Sequence, residues 1–163
     1  MHDGTERAIP RPANAGDQTD YYSGKKKRPT IKNLIWATAD GLVQLLSDTD
    51  AGSGHDQAIA DDVPYPVPPG SELVDDRGLV GSPVPDVTHT RPTRKPQGGA
   101  LTDAQQAANQ AIARRRITIE PVISGSKRCR IVKDTIRMGK DGVRDLVMEM
   151  CCALHHVRVR SRA

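Results

Sequence analysis

The sequence contains no phenylalanine and few other aromatic residues. Only 2% of its 163 residues are aromatic, and 36% are hydrophobic. A hydrophobic core must therefore be built from Leu, Ile, Val, Ala and Met side chains. The length favours one domain that is large enough to bury a core of modest stability.

Long apolar runs and paired cysteines are also missing. No stretch approaches the ~18 residues of a membrane span, and the polar N-terminus has no signal-peptide pattern. Cys129, Cys151 and Cys152 form no CxxC pair, which fits a reducing compartment. Two of them precede His155 and His156 by four residues, but structural zinc needs four N or S ligands, so buried thiols are the favoured explanation. We predict a soluble intracellular protein.

Basic residues slightly outnumber acidic ones, and they are clustered. The chain has 24 Lys and Arg against 20 Asp and Glu, a formal net charge of +4. Separated basic clusters suit a polyanionic partner because each phosphate contact releases counterions. Solvated basic faces are the alternative. The clusters lie at residues 25–28, 91–95, 114–116, 127–133 and 158–162.

The first half of the chain has the pattern of strands. Residues 29–38 and 42–47 are apolar, β-prone runs on either side of an Asp-Gly pair, which predicts a hairpin. A short helix is expected from about His55, and "SELVDD" predicts a strand that ends in acidic residues. We expect residues 82–100, rich in Pro, Arg, Thr and Gly, to form a long loop.

From Thr102 onwards the pattern is helical. Thr102 suits the N-cap of an Ala- and Gln-rich helix that ends at Arg116, and a second helix is predicted from Thr118 to Val132. Strands followed by helices indicate an α/β or α+β arrangement. A third helix, in residues 141–157, has the apolar stripe of a core-facing helix: Val143, Leu146, Val147, Met150, Leu154 and Val157.

A few acidic residues are candidates for chemistry, although most of the 20 acids are expected to face solvent. Carboxylates at strand ends can converge with one on a helix, and three hard oxygen donors suit Mg²⁺ or Mn²⁺. Because packed carboxylates repel one another, a divalent cation would neutralise them. The candidates are Asp3, Asp56, Asp75, Asp76 and Glu120.

Glu120 has basic residues on both sides. Arg116 lies four residues before it and Lys127 seven after it, which places all three on one helical stripe. Such a carboxylate could hold a metal between two phosphate contacts. The alternative is an i,i+4 ion pair of Arg116 with Glu120, worth only ~0.3 kcal/mol.

Five motifs in order resemble one family. They are "DGTERAIPRP", "YYSGKKKRPTIKN", "GSGHD", "LVDDRGLVG" and "RRRITIEPVISGSKRCRIVKD". Together they are similar to the catalytic domain of DDE-type insertion-sequence transposases, which are DDE superfamily endonucleases. The resemblance covers essentially the whole chain, and the ending "DLVMEMCCALHHVR" also resembles the closing helix of that family.

The resemblance implies a fold and a domain arrangement. The expected fold is α/β and ribonuclease H-like, a mixed sheet flanked by helices, with the first strand largely missing. Residues 1–157 would be a partial catalytic domain and residues 158–163 a basic C-terminal tail. The helix-turn-helix domain that usually precedes it is expected to be absent, which makes the chain resemble a truncated copy.

The resemblance also implies site residues. Asp3, Asp76 and Glu120 match the catalytic, metal-binding acids, with Asp75 as the alternative for the second position. Asp56 matches a family position that is not the usual metal ligand. Two Mg²⁺ or Mn²⁺ ions are expected. The residues expected to bind DNA are Lys25, Lys26, Lys27, Arg28, Arg116, Lys127, Arg128 and Arg130.

The implied function is DNA transposition by metal-dependent phosphodiester cleavage and strand transfer. The expected partner is double-stranded DNA, both element ends and target, with a homodimer or a separate DNA-binding chain and no membrane. A cytoplasmic, nucleoid-associated location follows. Three departures predict impaired activity, namely Asp3 on a fraying end, Pro121 directly after Glu120, and Leu79 and Cys129 at aromatic positions. A non-catalytic, basic nucleic-acid-binding remnant is the alternative.

Overall fold

The structure is a computed structural model that describes residues 1–63, 67–74, 86–140 and 142–162. Asp75, Asp76 and Leu79 lie outside the described residues. The strands are β1 (His2–Ala8), β2 (Tyr22–Ser23), β3 (Arg28–Ala37), β4 (Val43–Leu46), β5 (Asp50–Ala51), β6 (Glu72–Val74) and β7 (Thr88–Thr90). The helices are α1 (Ala15–Asp20), α2 (Asp56–Asp62), α3 (Asp103–Arg116), α4 (Ile119–Ser126), α5 (Arg130–Lys133) and α6 (Val143–Arg160).

The sheet is organised around β3, which pairs along both edges. On one edge, β1 pairs antiparallel with β3 from His2↔Trp36 to Ala8↔Thr30. The other edge is shared by β2, β5 and β4, all antiparallel. In the described ranges, β6 and β7 form a separate parallel pair. The α/β class is confirmed, and the finer ribonuclease H-like topology stays a prediction.

Helices cover both faces of β3 because its side chains alternate between two apolar clusters. Leu34 and Trp36 pack with α2, while Ile35 and Ala37 pack with α4 and α6. A strand buried on both faces reads as a nearly continuous apolar run, as β3 does. The candidate site described below lies on the face of the sheet that packs against α4.

Several local predictions are confirmed. β3 and β4 form the predicted hairpin, with Gly41 in its turn at φ +82°. Helix α2 starts at Asp56, and "ELV" is strand β6. Thr102 caps α3 through a reciprocal capping box with Gln105. The predicted 82–100 loop contains the short strand β7.

The first strand was predicted from the sequence to be largely missing, and the structure contradicts this prediction. β1 is seven residues long, and it is anchored at its start. The Met1 ammonium donates to the Ala37 carbonyl at 3.0 Å, and the Ala37 N–H donates to the Met1 carbonyl at 2.8 Å. Asp3 therefore lies inside a paired strand instead of on a fraying end.

The single helix predicted from Thr118 to Val132 is interrupted. Helix α4 ends at Ser126, just after Gly125, and α5 begins only after the extended backbone of Cys129. Pro121 is the third residue of α4, in the first turn, where its missing N–H would have no helical partner and is tolerated. Because α3 ends before α4 begins, Arg116 does not share one helix with Glu120 and Lys127, and it does not line the cavity that those two residues line.

Helix α6 mainly buries a different stripe from the predicted one, although Val147 of the predicted stripe packs partly buried against the core. Leu146, Met150, Leu154 and Val157 are 47–64% exposed. The buried side chains of this helix are Met148, Cys151, Cys152 and His155. Helix α4 packs on that side of α6, as shown by the shared cluster of Ile119, Val122 and Met148. In the described ranges, no helix has the length and apolarity needed to cross a membrane.

Candidate active site

Two of the predicted acids line one cavity of about 640 Å³. Asp3 pairs with Ile35 in register, so it lies on the face of the sheet that receives α4. Glu120 is the second residue of α4 and is exposed. The strand and the helix thus bring together two carboxylates that are far apart in sequence. The basic residues that line the same cavity are Lys25, Lys26, Arg28, Lys127, Arg128 and Lys133.

Lys127 connects α4 to β1 directly. Its Nζ donates to Thr5 Oγ1 at 2.9 Å and to the Glu6 carbonyl at 2.5 Å. Burial, together with the charges of Arg7 and Lys26, lowers the pKa of Lys127 to about 8, and the charge of Glu6 opposes this shift. The ammonium therefore lines the cavity and links the two elements that carry Asp3 and Glu120.

The basic run 25–28 reaches the cavity through a tight turn after β2. The Lys26 N–H donates to Ser23 Oγ at 3.1 Å, and the Lys27 N–H donates to the Ser23 carbonyl at 2.8 Å. Lys27 closes the turn at φ +54°, a left-handed conformation. Its neighbours Lys25, Lys26 and Arg28 line the cavity, whereas Lys27 does not.

Other predicted residues lie elsewhere. Arg116 and Arg130 do not line the cavity, and Arg130 is paired with Asp134 at 2.9 Å on the surface. Asp56 is on the opposite face of the sheet, where its carboxylate accepts from Lys32 Nζ at 3.1 Å. The second acid, Asp76 or its alternative Asp75, lies outside the described residues.

The sequence analysis missed residues of β1 that support the site. Asp3, Thr5 and Arg7 alternate along the strand and share its α4 face, a period-two signal that the "DGTER" motif contains. Arg7 is 1% exposed, and its Nη2 donates to Thr49 Oγ1 at 2.8 Å and to Asn33 Oδ1. Its Nη1 donates to the carbonyl of Arg144 in α6 at 3.2 Å. Burial lowers the pKa of Arg7 to about 10, and Asp145 opposes that shift.

The donor set suits a hard divalent cation. Within the described ranges, no group of three or more His, Cys, Asp and Glu side chains is placed to hold a metal, the Cys and His residues of α6 included. Asp3 and Glu120 nevertheless supply carboxylate oxygens to one cavity rich in ammonium and guanidinium groups. Mg²⁺ is usually bound by one or two carboxylates together with waters and substrate phosphates. A phosphate-rich substrate would complete such a set here.

Comparison with known families agrees with the motifs in the sequence. The family model for the DDE superfamily endonucleases matches residues 2–156. The chain belongs to this family. The match includes every described element of this DDE superfamily endonuclease from β1 to most of α6, and both Asp3 and Glu120 lie within it. Comparison with curated proteins and with solved structures finds no match.

Proposed function

We propose that this DDE superfamily endonuclease cuts and joins DNA in a transposition reaction that depends on Mg²⁺ or Mn²⁺. The observation that carries the proposal is the shared cavity, which is lined by Asp3, Glu120 and several basic side chains. Acidic residues alone would attract a cation and basic residues alone a phosphate. A cavity that combines both fits a metal-assisted reaction at a phosphodiester.

Each group has a defined role in this proposal. Asp3 and Glu120, together with Asp76 as predicted from the sequence, would hold two divalent ions. Bound ions supply Lewis-acid stabilisation of the attacking and leaving oxygens. Lys25, Lys26, Arg28, Lys127 and Arg128 would contact phosphate oxygens, which positions the duplex without reading its sequence.

The reaction has two displacements at phosphorus. Water attacks a phosphodiester at the element end, the bond from phosphorus to the 3′-oxygen breaks, and a 3′-hydroxyl is freed. That hydroxyl then attacks a phosphodiester of the target, which joins the two DNA segments and releases a target 3′-hydroxyl. The protein contributes positioning and charge, which are the main requirements of phosphoryl transfer.

The test is a calorimetric Mn²⁺ titration of the chain beside Asp3→Ala, Asp76→Ala and Glu120→Ala. Asp61→Ala is the matched control, because Asp61 is exposed on α2 and bonds only to Gln57 in the described contacts. We expect the three site variants to lose Mn²⁺ binding and the control to keep it. Nicking of supercoiled plasmid should likewise be lost in the three site variants and kept in the control, and it should require the metal.

Two results would contradict the proposal. A folded chain that binds no Mn²⁺ would leave only a basic nucleic-acid-binding remnant. DNA binding that is indifferent to Mn²⁺, with equal affinity in all four variants, would support that remnant as well. A steep decrease in DNA affinity with salt is expected of both the enzyme and the remnant, so it does not distinguish them.

A further inference from the structure

The space where a side chain on Gly4 would lie is already filled by the carboxylate of Asp56. A Cβ built on Gly4 would lie 2.8 Å from Cγ of Asp56 and 2.9 Å from its Oδ2. Such distances are shorter than side-chain carbons tolerate, so an alanine here would push the carboxylate away. The glycine of "DGTE" and the aspartate of "GSGHD" are thus sterically matched across two elements.

Asp56 is fixed in this place by a lysine of the central strand. Lys32 Nζ donates to Asp56 Oδ1 at 3.1 Å and to the Gly54 carbonyl at 2.7 Å. The Lys32 side chain is only 12% exposed, so its ammonium is held by these partners and not by bulk solvent. Asp56 is the first residue of α2, and that helix packs on the same face of β3 through Ile59.

The peptide between Asp3 and Gly4 lies between two carboxylates. Met1 with Ala37 and Ile9 with Pro29 are hydrogen-bonded positions of the β1–β3 ladder. By the alternation of antiparallel pairs, the N–H of Gly4 therefore points away from β3. It donates instead to Asp3 Oδ1 at 2.8 Å. On the opposite face of the strand from Asp3, the Asp56 carboxylate occupies the space that a side chain on Gly4 would need.

We propose that Asp56 is a positioning residue that keeps the Asp3 carboxylate directed into the cavity. It acts through the Gly4 backbone, whose N–H holds Asp3 Oδ1. Asp56 does not touch the reacting atoms, because it lies on the opposite face of β1 from Asp3. The inference rests on the proposed role of Asp3 as a metal ligand. Groups that orient a metal ligand typically change metal affinity by about 10–100-fold when they are removed.

The experiment uses two independent measurements on the full chain. The first is amide hydrogen exchange at Gly4 without metal, which reports the bond to Asp3 Oδ1. The second is Mn²⁺ affinity by calorimetry. The variants are Asp56→Ala, which empties the space, Asp56→Asn, which keeps the shape, and the α2 control Asp61→Ala.

We expect Asp56→Ala to speed Gly4 exchange at least tenfold and to weaken Mn²⁺ binding about 10–100-fold. Asp56→Asn should recover most of both, since an amide oxygen still accepts from Lys32 and fills the same space. Asp61→Ala should resemble the parent chain. If Asp56→Ala fails to fold, Gly4→Ala gives the same test, because its methyl group displaces the Asp56 carboxylate.

The outcomes separate this inference from the proposed function. Unchanged Gly4 exchange in a folded Asp56→Ala variant would overturn the positioning role, whatever the metal does. Faster Gly4 exchange in a chain that binds no Mn²⁺ would support the positioning of Asp3 and refute the metal site. Equal changes in Asp61→Ala would reduce the effect to general loosening of α2 and would also overturn the inference.

Discussion

Gly125→Ala tests whether the contact of α4 with α6 is as close as the structure shows. Gly125 is the second-last residue of α4, and a Cβ there would lie 2.3 Å from Nδ1 and 2.6 Å from Cε1 of His155. The imidazole is buried, and its Nε2 donates to the Gly41 carbonyl at 2.9 Å. The ring cannot move aside without losing that hydrogen bond.

Two effects of opposite sign determine how much Gly125→Ala changes the free energy of unfolding. Alanine favours a helix over glycine by about 1 kcal/mol, so propensity alone predicts that the variant is more stable. Overpacking a buried contact costs about 1–3 kcal/mol, and loss of the bond from His155 to Gly41 costs about 1 kcal/mol. The expected net change is a loss of about 2 kcal/mol in the free energy of unfolding. For a chain of this length, that corresponds to a decrease of roughly 5 °C in Tm.

Urea and thermal unfolding, followed by far-UV circular dichroism, would measure this change. Gly24→Ala and Gly139→Ala are matched controls, because a Cβ at either position meets nothing within 4 Å and neither has a positive φ. Both should be within about 0.5 kcal/mol of the parent. A Gly125→Ala variant more stable than the parent would refute the close contact. In the double variant with His155→Ala, the penalty of the added methyl group should disappear.

Three further predictions follow from charged groups. DNA affinity should decrease as the pH rises through about 8, where Lys127 loses its proton, and the dependence should flatten in Lys127→Arg, as binding titrations would show. Burial, with the charges of His155 and Arg160, lowers the pKa of His156, whose Nε2 accepts from the Val43 N–H at 2.8 Å. Its stabilising effect is therefore complete above pH 6.5 and is lost as the pH falls below that value, so Tm should decrease in acid less steeply for His156→Gln. Arg7→Met should cost about 3 kcal/mol in urea unfolding because it leaves buried acceptors unpaired, whereas the exposed Arg11→Met should cost under about 0.5 kcal/mol.

Local chemistry made parts of the fold predictable from the sequence. The Asp40–Gly41 turn and the Thr102 cap depend on residues within four positions of one another, and both form as expected. The buried face of α6 depends on tertiary contacts instead. Two stripes have helical spacing, and the one with Met148 and His155 is buried against α4, where Gly125 leaves room for the imidazole ring. Hydrophobicity alone favours the stripe with more Leu and Val, of which four of the six residues are exposed.

The candidate site was predictable only through its motifs. Nothing in composition or spacing brings Asp3 beside α4, since that placement depends on the pairing of β1 with β3 and on the packing of Ile35 against α4. The role of Lys127 as a link to Thr5 and Glu6 likewise needs the fold, because the sequence indicates only another basic residue. Short-range sequence patterns determine the helices and strands, whereas long-range packing determines which residues meet at the site.

Pro121 was expected from the sequence to disrupt the helix that carries Glu120, but the structure accommodates it. If residues 103–126 formed one continuous helix, the proline ring would clash with the carbonyl of Ile117, four residues earlier. The structure instead ends α3 at Arg116 and begins α4 at Ile119, so the proline falls in a first turn. Helix α4 packs on β3 through Ile119 and Val122. Glu120, directly before the proline, lines the same cavity as Asp3, so the proline is compatible with the placement of this acid at the site.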